Sequence, residues 1–322
     1  MERNARDSKL HLLQLIMLWA AAVFFMHPAP STAQNLTDLW VDTPVIVNTG
    51  DTVTIENSRI MIDPKMEYTY PFEIKKDASL IFKNCILDLS NFPEFGRTTF
   101  IYGTDATLIF DNTEMSGGVL STPTGFITCY RCDFTVKNGS KIINNYNTGH
   151  KLVAEEGYRG GILYLGDSSL IIEDSDISNN RLRSVFLPEN NLTYGIIDSY
   201  GTKIAIKNSV ISGNNYETGT FLKLIEDGEL LIENTLIENN EGIQTGVIKG
   251  QNSKKITIDE GTVFRNNTSK NGSCIFVENT QVEIKDNVEF SGNTASSYGG
   301  ESSYGGVIYT EESDMTIGKV LL

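Results

Sequence analysis

Histidine is almost missing from these 322 residues: there are three, at His11, His27 and His150. Cysteine is nearly as scarce at four, tryptophan at two and proline at eight. So few histidines leave no nucleophile–His–acid arrangement to assemble and no imidazole-rich metal cluster. Basic residues are also short, 26 against 41 acidic, for a formal net charge of −15. That balance excludes a general nucleic-acid binder, which needs a positive footprint for phosphate, and simple electrostatic adhesion to anionic lipid. Beyond Leu10–Met26 no run is apolar enough to cross a bilayer. What remains is a chain that folds, with hydrophobic residues at 40% and charged residues at 21%.

The first segment reads as an address. Arg3, Arg6 and Lys9 precede the apolar run, and small residues follow at Ala29, Ser31 and Ala33. This order predicts a secretory signal over 1–33, cut after Ala33, with 34–43 as a lead-in and a secreted or cell-surface destination. Export gives meaning to six Asn-x-Ser/Thr triplets, at Asn35, Asn138, Asn191, Asn266, Asn267 and Asn271, as possible glycan acceptors. In an oxidising compartment Cys85, Cys129, Cys132 and Cys274 could form two bridges in any of three connectivities. Cys129 and Cys132 have the spacing of a redox or zinc motif, but neither a second such pair nor a nearby histidine supports that chemistry, and no cofactor or metal is expected.

Internal similarity is the strongest signal. A block of 17 residues recurs ten times, starting at Pro44, Pro71, Thr99, Gly118, Gly161, Gly195, Phe221, Val247, Ser273 and Gly306. The blocks from Gly161, Gly195 and Phe221 align without gaps. The second column holds Val45, Phe72, Phe100, Val119, Ile162, Ile196, Leu222, Ile248, Cys274 and Val307. The tenth runs Val53, Leu80, Leu108, Ile127, Leu170, Ile204, Leu230, Ile256, Val282 and Met315. The twelfth runs Ile55, Phe82, Phe110, Cys129, Ile172, Ile206, Ile232, Ile258, Ile284 and Ile317. Apolar columns two residues apart are the inward positions of a strand, whereas an amphipathic helix needs contacts at three and four.

Gly50, Asp77, Asp105, Asp167, Gly201 and Asp227 mark a tight turn between strands. A second bend carries Asn57, Asn84, Asn112, Asp174, Asn208, Asn234 and Asp286, residues that accept the left-handed conformation. Stacked, these would form a ladder of side-chain bonds. Strand, turn, strand, bend, strand at a period of about 26 residues predicts an all-β fold, a right-handed single-stranded parallel β-helix of about ten rungs over 44–322.

The blocks resemble the right-handed parallel β-helix of the pectin-lyase-like superfamily. Phe264-Arg265-Asn266-Asn267 and Phe290-Ser291-Gly292-Asn293 fit F-x-x-N, and Gly-Gly-aliphatic openings stand at Gly117-Gly118-Val119, Gly160-Gly161-Ile162 and Gly305-Gly306-Val307. Alternating elements of this kind are similar to the repeats of chlamydial polymorphic outer-membrane proteins and of protist surface proteins. That resemblance implies an exposed adhesive passenger, which in the chlamydial family is carried by a C-terminal membrane barrel. No barrel sequence is present, so membrane association is expected only through an uncut signal or a region after Leu322, where the last rung stops short of its return and the coil is expected to be incomplete.

No catalytic set emerges. Asp174 and Asp176 fall where the repeat is polar and solvated, and the Asn-Thr-Asp, Asp-Asp and Gly-His-Gly signatures of pectin-degrading hydrolases are missing. His150 lies in an insertion. Asp198 occupies the fourth column, where Tyr164, Leu224, Phe276 and Tyr309 suggest an inward slot; a local bulge that turns the carboxylate outward is the reading adopted for it. Insertions at 135–160, 178–194 and 290–305 concentrate on one side of the coil. The second carries Arg181, Arg183, Phe186, Leu187 and Tyr194, residue types that suit contact with a glycan or protein. The expected function is a non-catalytic scaffold for adhesion or ligand binding, with a polysaccharide lyase or glycoside hydrolase as the alternative.

Overall fold

The computed structural model describes residues 36–64, 66, 70–92, 99–121, 125–148, 161–183, 194–217, 219–243, 245–296 and 306–322. These residues are all-β, and every strand pairing among them is parallel. Four sheets run along the coil. Sheet 1 has ten strands, from Val45–Val47 to Ile308–Glu311; sheet 2 has ten, from Thr52–Glu56 to Met315–Ile317; sheet 3 has ten, from Thr37–Val41 to Glu289–Ser291. Sheet 4 has seven two-residue strands, from Val119–Leu120 to Thr294–Ala295. One rung visits sheets 1, 2, 3 and, where present, 4, and then steps up to sheet 1 again. The right-handed parallel β-helix is therefore the fold. Thr37–Val41, read in the sequence as lead-in, is a full strand of sheet 3 paired with Ser58–Ile62.

Sheet 2 follows the sequence pattern closely. Val53, Leu80 and Leu108 are successive partners, as are Ile55, Phe82 and Phe110. Alternate residues point inward, and stacking gives each its mate one rung away. Between Phe72 and Phe134 the interior is aromatic: Phe82–Phe110 and Phe110–Phe134 meet edge to face at 5.7 and 5.3 Å.

Register departs from the sequence reading in three places. The fourth block starts at Gly125, not Gly118: Phe134 pairs Leu108 and Leu170, whereas Ile127 and Cys129 belong to sheet 1 opposite Ile101 and Gly103. Val119 lies in sheet 4. The second column was a mixture of two. At the corner entering sheet 1 the chain bends, so consecutive residues such as Phe100 and Ile101, or Ile196 and Ile197, both point inward. Gapless alignment also fails. Tyr200 pairs Ile225, but Lys203 pairs Glu229, so the turn through Glu226–Gly228 holds one extra residue.

Two kinds of polar stack finish the corners. Where sheet 2 turns into sheet 3, Ser58, Cys85, Thr113, Ser140, Ser175, Ser209 and Thr235 form a column of small residues. Several of its hydroxyls bond the carbonyl two residues back, as Ser175 does to Glu173 at 2.7 Å. Between sheets 3 and 4 stands the larger device, a buried asparagine column, Asn145, Asn180, Asn214, Asn240 and Asn267, ending on the half-buried Asn293. From Asn145 to Asn267, each amide donates to the side-chain oxygen of the next asparagine at 2.9–3.2 Å. Each backbone N–H of these five bonds that same oxygen, so the chain's direction change leaves no buried donor unpaired there. The residue before each is left-handed: Asn144, Asn179, Gly213, Asn239, Asn266 and Gly292.

Candidate functional site

The outward face of sheet 1 carries the chemistry. Its central outward column follows directly from the pairing: Tyr102, Thr128, Tyr164, Asp198, Lys223, Lys249, Phe276 and Tyr309. Asp198 thus points outward without a bulge, because its whole column does. Leu224 seemed to share that slot only because the extra turn residue was not recognised; Lys223 is the true neighbour. Outward does not mean exposed here. Asp198 is 4% accessible, Lys223 9% and Lys249 8%.

Charges buried this deeply need partners. Lys223 Nζ lies 3.8 Å from Asp198 Oδ1 and 5.7 Å from the Tyr194 ring centroid. The Gly195 N–H donates to Asp198 Oδ2 at 3.4 Å. Lys249 Nζ stands 5.7 Å from the Phe276 ring. Burial holds the Lys249 ammonium below its ordinary range; Glu278 opposes that shift, Lys223 adds to it, and Asp198 opposes it.

The sign of the consequence is unusual for a lysine. The folded chain releases this proton at a lower pH than the unfolded chain does. Stability therefore rises with pH between the two values, and the penalty is full below the folded-state value and gone above the ordinary value of 10.5. We expect Lys249→Met to melt at higher temperature than the parent at pH 7, with the difference shrinking towards pH 10; thermal melts at both pH values measure it, and an unchanged difference contradicts the assignment.

Aromatic rings flank the ionic cluster on both sides. Tyr70 stacks on Tyr102 at 4.5 Å, Tyr102 reaches Tyr130 at 6.3 Å, and Tyr130 meets Tyr164 at 5.6 Å. On the far side Phe276 stacks on Tyr309 at 4.7 Å. Gly166 makes room for this run: a Cβ there would stand 3.0 Å from the Tyr130 ring. Glycines also line the edge of the face. A Cβ on Gly161 would lie 2.5 Å from the Gly195 carbonyl, and one on Gly246 would lie 1.9 Å from that of Gly272. Close backbone approach between rungs, with no left-handed angle at either residue, is the physical content of the glycine openings.

Before sheet 1 the described chain breaks off after Thr148, Arg183 and Ser296 and resumes at Gly161, Tyr194 and Gly306. The insertions foreseen in the sequence are shorter than expected, since 135–147, 178–182 and 290–295 belong largely to strands. Arg181 is a strand residue, bonded to Glu217 at 2.7 Å and lying over Tyr146. His150, Phe186 and Leu187 lie outside the described residues.

The remaining sequence candidates divide. Asn57, Asn84, Asn112, Asp174, Asn208 and Asn234 are all left-handed, with φ of 45–52°. Their ladder exists as short runs: Asn84 donates to Asn57 at 3.2 Å, Asn112 to Asn84 at 2.8 Å and Asn234 to Asn208 at 2.9 Å. Asn138 occupies the next place and donates to Asp111 instead, and the Asp174 carboxylate cannot donate when ionised. Asp286 is not the bend residue; Asn287 is, at φ 62°, while Asp286 accepts from the Lys319 N–H. Among the acceptor asparagines, Asn138 and Asn266 are exposed and Asn271 half-buried. Asn267 is fully buried with its amide committed to Ile237 and Asn293, so no glycan fits there in the folded coil. Asn35 and Asn191, like the 1–33 segment, lie outside the described residues. All four cysteines are buried and free.

The family described as "Right handed beta helix region" matches residues 150–319, more than half of the chain. The chain belongs to that family. Among solved structures, the A-module of the mannuronan C-5 epimerase AlgE6 of Azotobacter vinelandii is similar over 78% of this chain and 90% of its own, at 9% identity and a TM-score of 0.18. The periplasmic alginate epimerase AlgG is similar over 84% and 79%, at 10% identity and a TM-score of 0.16. Scores this low carry no inference from those proteins to this one. No curated protein matches the chain.

Proposed function

We propose that this chain is a non-catalytic β-helix, secreted or displayed at a cell surface, that binds an extended glycan along the outward face of sheet 1. The supporting observation is the continuity of that face. Aromatic rings occupy four successive rungs, an Asp–Lys–Lys cluster the next three, and two more rings the last two. From Tyr102 to Tyr309 the column spans seven rung steps, roughly 34 Å at ~4.8 Å per step. The half-buried rings of Tyr70, Tyr102, Tyr130 and Tyr309 offer stacking area at low entropy cost, and the buried charges between them give orientation. Adhesion through such a face agrees with the F-x-x-N and glycine-opening resemblance to surface-displayed repeats.

The test is affinity electrophoresis of the whole protein through gels holding a panel of neutral and acidic polysaccharides. We expect retardation by at least one of them, weakened about tenfold or more by Tyr102→Ala or Tyr130→Ala, roughly what the loss of one stacked aromatic costs. No retardation anywhere contradicts the proposal. A second reading as a carbohydrate-active enzyme is favoured by one feature, the depressed Lys249 ammonium near Asp198. New reducing ends or unsaturated products in the same incubations, abolished by Lys249→Met, would decide for it.

A further inference from the structure

Cys129 and Cys132 flank the turn from sheet 1 to sheet 2, with Arg131 between them in the left-handed conformation at φ 52°. Both thiols face the interior. The two side chains act on each other: the neighbouring Cys132 and burial push the Cys129 thiol up, and the neighbouring Cys129 draws the Cys132 thiol down. Space for them comes from the neighbouring rung. A Cβ on Gly103 would stand 3.3 Å from the Cys132 sulfur and 3.8 Å from the Cys129 sulfur, so glycine there leaves room for the pair.

The other two cysteines are out of reach. Cys85 sits where sheet 2 ends, bonded to the Ile55 and Lys83 carbonyls, whereas Cys132 sits where it begins. One five-residue strand, about 17 Å, separates those corners. Cys274 lies seven rungs from Cys85, roughly 34 Å at ~4.8 Å per rung. A bridge needs Cα atoms within about 7 Å, so of the three ways to pair four cysteines the fold permits none in full.

We infer that Cys129 and Cys132 close on each other as a disulfide when the chain folds in an oxidising medium, while Cys85 and Cys274 remain thiols. The reaction is thiol–disulfide exchange with a low-molecular-weight disulfide as oxidant. The Cys132 thiolate attacks one sulfur of the oxidant, forms a mixed disulfide and releases one small thiolate. Cys129 then gives up its proton, which the released thiolate takes, attacks the Cys132 sulfur and expels the second small thiolate, which solvent protonates. Two protein thiols are oxidised and one small disulfide is reduced to two thiols. In the closed coil the pairing and burial keep the proton on Cys129 and favour the thiolate on Cys132. Both sulfurs are sealed in the finished coil, so the exchange belongs to the stage before the rung above closes.

The experiment refolds the full chain from denaturant in a buffer of reduced and oxidised glutathione. Free thiols are then blocked under denaturing conditions, the chain is cleaved at Arg131, and the peptides are weighed with and without reduction. Cleavage there parts the two cysteines, so bridged peptides stay joined until reduced. The expected result is joined peptides from Cys129 and Cys132, with Cys85 and Cys274 blocked. Cys129→Ser should fold, by its circular dichroism, and keep glutathione on Cys132, trapping the first half of the reaction. Four blocked cysteines in the parent, any bridge to Cys85 or Cys274, or a lasting glutathione adduct on the parent's Cys132 would each overturn the inference. None of these readouts depends on glycan binding.

Discussion

Asn240→Leu is expected to lower folding stability by about 4 kcal/mol, although leucine is nearly the same size and more apolar. Asn240 Oδ1 accepts from the backbone N–H and the side-chain amide of Asn214 at 3.0 and 2.9 Å; its own amide donates to Ile211 at 3.0 Å and to Asn267 at 2.9 Å. Leucine deletes all four bonds and strands the Asn214 N–H in a place water does not reach. An orphaned buried donor costs about 1–3 kcal/mol, and each other bond adds about 1. The comparison variant is Asn84→Gly in the exposed bend column. Glycine keeps the left-handed angle and loses only solvent-facing bonds, so a change within about 0.5 kcal/mol is expected. Urea unfolding of both variants measures the contrast; equal losses would mean that the buried column is not a structural spine.

Phe110→Ala should be at least as damaging, at about 5 kcal/mol. The ring is wholly buried and is gripped edge to face by Phe82 below and Phe134 above. Truncating a buried phenylalanine costs about 3–5 kcal/mol, and each lost aromatic pair adds about 1. Neighbouring rungs support each other only through such contacts, so the cavity divides the stack. Hydrogen exchange should then reveal the rungs before Phe110 opening ahead of those beyond Phe134. Phe110→Leu, which refills most of the space, should recover more than half of the loss. A uniform loss of protection along the coil would count against nearest-neighbour coupling.

Much of this architecture was legible because the repeat is physical before it is statistical. Val53, Leu80 and Leu108 had to share one side of a strand, and stacking was the only way for short rungs to bury them. The left-handed asparagines were legible for the same reason, since few other residues tolerate that angle. What failed was register. A turn lengthened by one residue at Glu226–Gly228 shifted Leu224 into a column that belongs to Lys223, and so hid the sequence Asp198, Lys223, Lys249. Two adjacent inward residues at the corner of Phe100 and Ile101 defeated an alternation rule that holds within strands but not at bends.

At Asn267 and Asn293 the buried asparagine column was visible as the last residue of the F-x-x-N endings, yet its role was not. A sequence does not say which of two neighbouring asparagines turns inward. The left-handed angle of the first decides it by aiming the second into the coil. The outward face of sheet 1 was similarly concealed, because burial of an outward column has no periodic signature. Its signal lay in the glycines, which mark where one rung's backbone meets the next.

The central claim is that chain segments about 26 residues apart lie one strand spacing apart, in register, along a single axis. Spin labels attached through a ketone-bearing amino acid leave the native cysteines untouched, and pulsed dipolar spectroscopy then measures their separation. Labels at 83 and 207 lie four strands apart in sheet 2, and labels at 56 and 233 lie six apart. The account predicts backbone separations of about 19 and 29 Å, a fixed increment of ~4.8 Å per rung. Distances that do not grow in that proportion, or a first pair farther apart than the second, would contradict it.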